Sequence, residues 1–291
     1  MKIKKTAEDY AIDIFAYLFM GFCAIITLVP VINLFSKAVS DPAAVTSGKV
    51  GLLPVGFQLD TLKQVVVSGN FLNAFKNSIF ITVIGTLFSV FITALTAYPL
   101  SKRNLSGIKA LLLLFVFTML FSGGLVPTYL LIKNLGLYNS PWALVLPAAV
   151  NVYNMLIIKN YYESLPDSLE ESAKLDGAGN FTILIRIILP LSKPVIATIL
   201  LFEMVAFWND YYNAMIYITD INLKTLQLYM AEIVMEAQQD LTTVSVDDMM
   251  NTSPEGMRAA TILASAIPII CVYPFMQKYF IKGILIGSVK G

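Results

Sequence analysis

Histidine is absent from this sequence, charged residues are scarce, and only two cysteines occur. Each shortage excludes something. Without histidine there is neither an HExxH metal helix nor a Ser-His-Asp triad. Cys23 and Cys271 both lie in apolar stretches, where packing residues are expected rather than a disulfide or a metal pair. No clustered set of metal ligands stands elsewhere, so no metal site is expected. Charged residues make up 13% of the chain and apolar ones 57%, with a mean hydropathy of +0.73. A soluble domain carries about 25% charged residues, so much of this chain faces something other than water. The net charge of +1 offers no footing for nucleic acid.

What is present is a series of long apolar runs. A bilayer core about 30 Å thick takes roughly 20 apolar helical residues. Charge-free runs of that length cover residues 14–36, 77–101, 110–132, 134–158 and 259–277, and a sixth run, 194–219, is interrupted by Glu203 and Asp210. The reading is an all-α integral membrane protein with six transmembrane helices, the fourth starting near Pro141. Residues 181–191 are too short to span and carry Arg186 and Pro190, so they read as an interfacial segment leading into the fifth span. With the amino terminus inside, thirteen of the twenty Lys and Arg residues fall on the cytoplasmic side, which places both termini there. The first run exceeds the 7–15 residues of a signal-peptide core and reads as a retained span. One domain, 1–291, is expected, with an inner loop at 161–193 and an outer loop at 220–257. Residues 37–70 read as irregular or extended, and 223–238 as a short amphipathic helix.

The 161–193 loop is the most informative stretch. Ser164 and Asp167 have capping-box spacing, and Pro166 suits a first helical turn. Leu165, Leu169, Ala173 and Asp176 share one face, Glu170 and Lys174 make an i, i+4 pair, and Gly177 suits a left-handed stop. A second helix then ends at Pro190. Such an element can transmit a push from another protein into the fifth span. On spacing alone, a capped surface helix joining two spans explains it equally well.

The spaced pattern Glu171, Ala173, Asp176, Gly177, Ala178, Leu189 and Pro190 resembles the EAA loop of ABC-importer permeases, with Ser172 where the family most often has alanine. Phe75-Lys-Asn-Ser78 and Ala97-Tyr-Pro-Leu-Ser-Lys-Arg103 are similar to maltose-type sugar permeases. Phe121-Ser-Gly-Gly-Leu-Val-Pro-Thr-Tyr129 with Asn134-Leu-Gly-Leu-Tyr-Asn139 is similar to their lipoprotein-associated oligosaccharide branch. Gln277–Gly283 and Gly287–Gly291 resemble the ending of the second, MalG-like permease of the pair. The resemblance implies an ABC type I importer permease fold in a bacterial cytoplasmic membrane. It implies a heterodimer with a second permease, a pair of ATPase subunits and an external solute-binding (lipo)protein. It also implies that Leu169, Glu170, Glu171, Ala173, Asp176, Gly177, Ala178 and Pro190 couple to the ATPase. No GxxxxGK[ST] run is present, so ATP and Mg belong to that partner, and this chain is neither an enzyme nor a cofactor carrier.

Polar residues inside a span are costly and point at cavities. Glu203 stands about 13.5 Å along a helix from Pro194, near the bilayer middle. Trp208, Asn209, Tyr211 and Tyr212 follow, joining aromatic faces to amides as a carbohydrate path requires; an interfacial aromatic belt is the competing explanation. Asn151 and Asn154 are further candidates, with interhelical hydrogen bonding as their alternative. The resulting expectation is a subunit importing a sugar or oligosaccharide, with an amino acid or betaine as the alternative solute, and the outer loop 220–257 as a docking surface for the binding protein.

Overall fold

A computed structural model describes residues 6–102, 104–239, 253–268 and 270–271. All regular structure among them is helical. In chain order the helices are α1 (Ala7–Ala38), α2 (Pro42–Thr46), α3 (Asp60–Val67), α4 (Gly69–Leu100), α5 (Ile108–Leu120), α6 (Leu125–Asn134), α7 (Trp142–Val145), α8 (Val152–Glu163), α9 (Asp167–Leu175), α10 (Asn180–Ile183), α11 (Leu189–Leu191), α12 (Lys193–Trp208), α13 (Tyr212–Tyr217) and α14 (Leu226–Gln239). A further helix, α15, covers 254–268. The described residues pack as two units, those within 1–68 and 230–267 forming the first and those within 69–229 the core of the second.

In the first unit α1 starts at a capping box. Thr6 N–H donates to Asp9 Oδ2 at 2.8 Å, and Asp9 N–H donates to Thr6 Oγ1 at 3.4 Å. The 32-residue helix is about 48 Å long, more than a bilayer core requires. Its side chains are exposed along the apolar span, Phe15, Tyr17 and Leu18 among them, as a lipid-facing helix demands. Cys23 shares that exposure, and it and Cys271 are both free thiols, so no disulfide joins them, as their apolar surroundings suggest. Beyond α1, residues 37–70 are not simply irregular: α2 and α3 form there, the first with Pro42 in its opening turn. Ser36 Oγ donates to Leu52 O at 2.7 Å and Asn33 Nδ2 to Gly51 O at 2.8 Å, which folds the loop back on the end of α1. Lys37 and Glu255 pair at 2.7 Å, and Ser253 Oγ accepts the Gly256 N–H at the start of α15.

In the second unit α4 is the central helix, with α12 and α8 packed against it. Its buried face is built from small residues: Ala74, Ser78, Thr82, Gly85, Thr86, Ser89, Thr93, Ala94 and Ala97. In lipid the hydrophobic effect does not drive helices together, and small residues let backbones approach closely. The approach is tightest at Gly85, where a Cβ would stand 2.7 Å from the Phe207 ring.

The expected spans divide into unbroken and broken ones. Unbroken helices long and apolar enough to cross a bilayer are Glu8–Ala38 and Gly69–Leu100. The 110–132 run is not one straight helix: α5 and α6 meet at 110° across Phe121-Ser-Gly-Gly124, with Gly124 at φ +89°. The fourth span is also interrupted. α7 lasts only to Val145, and α8 restarts at Val152, because Pro147 has no N–H to donate and Asn151 caps a new helix by accepting the Asn154 N–H at 3.2 Å. Residues 180–191 lie at 82° to α12, so a sharp bend separates this segment from the helix it leads into. α12 stops at Trp208, well before residue 219. Of the sixth span, the part beyond residue 271 lies outside the described residues, as do the sequence endings 277–283 and 287–291.

Two local readings of the 161–193 loop need correction. Ser164 does not cap α9; it closes α8, its Oγ donating to Tyr161 O at 2.7 Å, and Pro166 stands before α9 without a side-chain cap. Pro190 does not end its helix either. A π-helical turn, Leu184–Ile188, precedes it and α11 carries on to Leu191, since a wider turn accommodates the hydrogen bond that proline removes. The expected amphipathic helix after residue 223 is α14, opening at Leu226 with its N–H donated to Ser78 Oγ at 2.8 Å.

Gly85→Val is expected to push α12 off α4, lowering the unfolding temperature in detergent by an amount equivalent to about 1–3 kcal/mol. Adding Phe207→Ala should recover part of the loss; equal stability of Gly85→Val and wild type would contradict the close crossing.

Candidate functional site

At one end of the second unit, Tyr98, Met155, Ile158, Tyr162, Ile183, Ile188 and Ile199 form a buried cluster that also takes in Ala173 of α9. Tyr98 and Tyr162 meet edge to face with centroids 6.3 Å apart. Lys102 lies 4.7 Å over the Tyr98 ring and pairs with Glu170, so Glu170 is held by α4's end rather than by Lys174 on its own helix. α9 therefore has two faces. Glu170 and Ala173 are buried against this chain, while Leu169, Glu171, Asp176 and Gly177 face outward, and Leu175 is 89% exposed. Ala178 is half-buried and Pro190 exposed. Gly177 takes φ +83° as expected, with open space around it, so conformation alone selects glycine there.

Further along α12 lies a polar cleft of about 460 Å³. Its lining includes Asn151, Glu203, Phe207, Asn209, Asp210 and Asn213. Glu203, 4% exposed, accepts a hydrogen bond from Asn154 Nδ2 at 2.6 Å. Burying a carboxylate is costly unless it is hydrogen-bonded, and this bond offsets part of that cost. Ser89 faces the same carboxyl from α4. The hydroxyls of Thr82, Thr86 and Thr93 are buried on that face without a hydrogen-bond partner among the described residues. α12 ends at Asn209, and the turn to α13 is fastened by Asp210, whose Oδ1 accepts the Asn213 N–H at 3.1 Å and whose Oδ2 accepts Asn213 Nδ2 at 3.0 Å.

The structure thus brings Asn151, Asn154, Glu203 and Asn209 together. It places the aromatic candidates apart from the cleft: Trp208 is buried edge-on against Phe75, with centroids 6.3 Å apart, while Tyr211 is half-buried and Tyr212 exposed. The aromatic that does line the cleft is Phe207, one residue earlier. Asp210 and Asn213 complete the polar lining; their i, i+3 spacing across a helix end was the available signal. Of the outer loop 220–257 expected to dock the binding protein, residues 240–252 lie outside the described residues. Among the described residues no group of three or more His, Cys, Asp or Glu is placed to hold a metal.

Comparison with known proteins agrees with this architecture. A family model described as "Binding-protein-dependent transport system inner membrane component" matches residues 103–286. Protein LplC of Bacillus subtilis (strain 168) is 44% identical over 288 residues, 98% of this chain and 97% of its own. The polygalacturonan/rhamnogalacturonan transport system permease protein YtcP of the same organism is 42% identical over 280 residues, 96% of this chain and 98% of its own. A chain in the crystal structure of a bacterial ABC transporter that imports the acidic polysaccharide alginate superposes with a TM-score of 0.88 at 33% identity, covering 96% of this chain and 100% of that one. With its helices packed on α4, a polar cleft beside α12 and the EAA-type segment at α9, the chain belongs to the family of binding-protein-dependent transport system inner membrane components.

Proposed function

We propose that this chain is the permease subunit of an ABC importer, moving a sugar or oligosaccharide by alternating access while a separate ATPase pair hydrolyses ATP with Mg. The observation that carries the reading is the cleft at Glu203: a buried carboxylate, amides and one aromatic ring set into an otherwise apolar helical unit. Sugars present hydroxyls and weakly apolar C–H faces, and this lining offers a counterpart to each. Family membership and the sugar-transport names of similar proteins point the same way.

In this reading both termini lie in the cytoplasm of a bacterial cell, α9 faces the ATPase pair, and the opposite end receives an external solute-binding protein. A second, homologous permease completes the path. The outward residues of α9, Leu169, Glu171 and Asp176, meet the ATPase. The inward ones, Glu170 and Ala173, tie α9 to α4 through Lys102 and Tyr98. A push on α9 then reaches α4 and, through residues 180–191, the foot of α12 that carries Glu203.

Two variants test the two halves of this account. Gly177→Val strains a left-handed turn, at about 1–2 kcal/mol, and should tilt α9. In the assembled importer it is expected to lower uptake at least ~10-fold while the ATPase pair continues to hydrolyse ATP; solute-stimulated uptake at the wild-type rate would contradict the lever. Glu203→Gln keeps the shape and an acceptor for Asn154. It should insert normally yet raise the solute concentration for half-maximal uptake, whereas unchanged transport kinetics would reduce Glu203 to interhelical packing.

A further inference from the structure

The cleft's hydrogen-bonding groups are not evenly divided between donors and acceptors. Asn209 Nδ2 gives one N–H to Val205 O at 2.9 Å and keeps the other, and its Oδ1 is also left for the cleft. Asn213 Nδ2 is engaged by both Asp210 oxygens, which likewise leaves Oδ1. Glu203 accepts from Asn154 through Oε1, and Ser89 faces the same carboxyl from α4. Asn151 alone has its carbonyl occupied, by the Asn154 N–H, and keeps an amide donor. Among the described lining residues there is no lysine or arginine.

Resting on the sugar-import reading, we infer that the importer takes neutral oligosaccharides and discriminates against uronates at this cleft. A sugar hydroxyl donates as well as accepts, so acceptors such as Glu203, Asn209 and Asn213 can each receive one. An ionised uronate carboxylate only accepts. Beside Glu203 and Asp210 it meets like charge, an arrangement that suppresses wrong partners. The acidic polymers named for YtcP and for the alginate importer are therefore not the expectation for this chain.

The test uses the complete importer with its own binding protein in proteoliposomes, supplied with labelled neutral pentaoses (xylo-, gluco-, arabino- and manno-) and with oligogalacturonate of matched length. Wild type should import at least one neutral pentaose at least ~10-fold faster than the uronate. Asp210→Asn and Glu203→Gln, incorporated at equal levels and still assembled with the ATPase, should narrow that ratio by raising relative uronate uptake. Uronate uptake by wild type equal to or above the neutral rate would overturn the inference while leaving the sugar reading intact. So would a ratio that neither variant shifts. Failure to import any of these sugars, with ATP hydrolysis intact, would overturn the inference together with the sugar reading.

Discussion

Everything in the second unit depends on how closely α12 and α8 approach α4. Lipid tails are as apolar as leucine, so apolar side chains alone give these helices little reason to leave lipid for one another. Close contact between backbones supplies dispersion attraction instead, and it requires small residues along the contact. α4 provides them from Ala74 to Ala97, and at Gly85 even a methyl group would collide with Phe207. The same closeness buries four hydroxyls of α4 beside α12 and sets Glu203 within reach of Asn154. The polar cleft is thus a product of the packing that holds the helices together.

Breaks in helices do as much for the site as the helices themselves. Pro147 and Asn151 divide the fourth apolar run, so that Asn154 sits in the first turn of a new helix opposite Glu203. Asn209 and Asp210 end α12 and fasten the turn into α13 beside the cleft. At the other end, the π-helical turn before Pro190 lets residues 180–191 run into the bend at Ser192 and so join α9 to α12. Irregular backbone in a membrane protein is tolerated where it is covered by protein or lines a cavity, and these breaks fall beside the cleft or at the end of the unit.

Much of this was legible in the sequence because membrane insertion imposes a strong one-dimensional signal. Run lengths located α1 and α4, and the burial cost of a carboxylate singled out Glu203. Gly177 was legible because a positive φ has a narrow choice of residues. Breaks within apolar runs were not: hydropathy is blind to Gly123 and Gly124, which bend α5 against α6, and to Pro147. Side-chain partners were not legible either. Glu170 had Lys174 at an ideal helical spacing, but Lys102 reaches it from α4, a contact that no local pattern contains. Trp208 carried the aromatic signal for the solute path, yet Phe75 covers it and Phe207 lines the cleft.

The claim on which the account turns is that the cleft at Glu203 opens alternately to the two sides of the membrane. The direct measurement places a single cysteine at Asn213, with Cys23 and Cys271 replaced by serine, in the assembled importer. Its reaction with a membrane-impermeant thiol reagent is then followed from each side. The account predicts access from one side without nucleotide, and a switch to the other when a non-hydrolysable ATP analogue and solute-loaded binding protein are added. Labelling from the same side at the same rate in both conditions would contradict it.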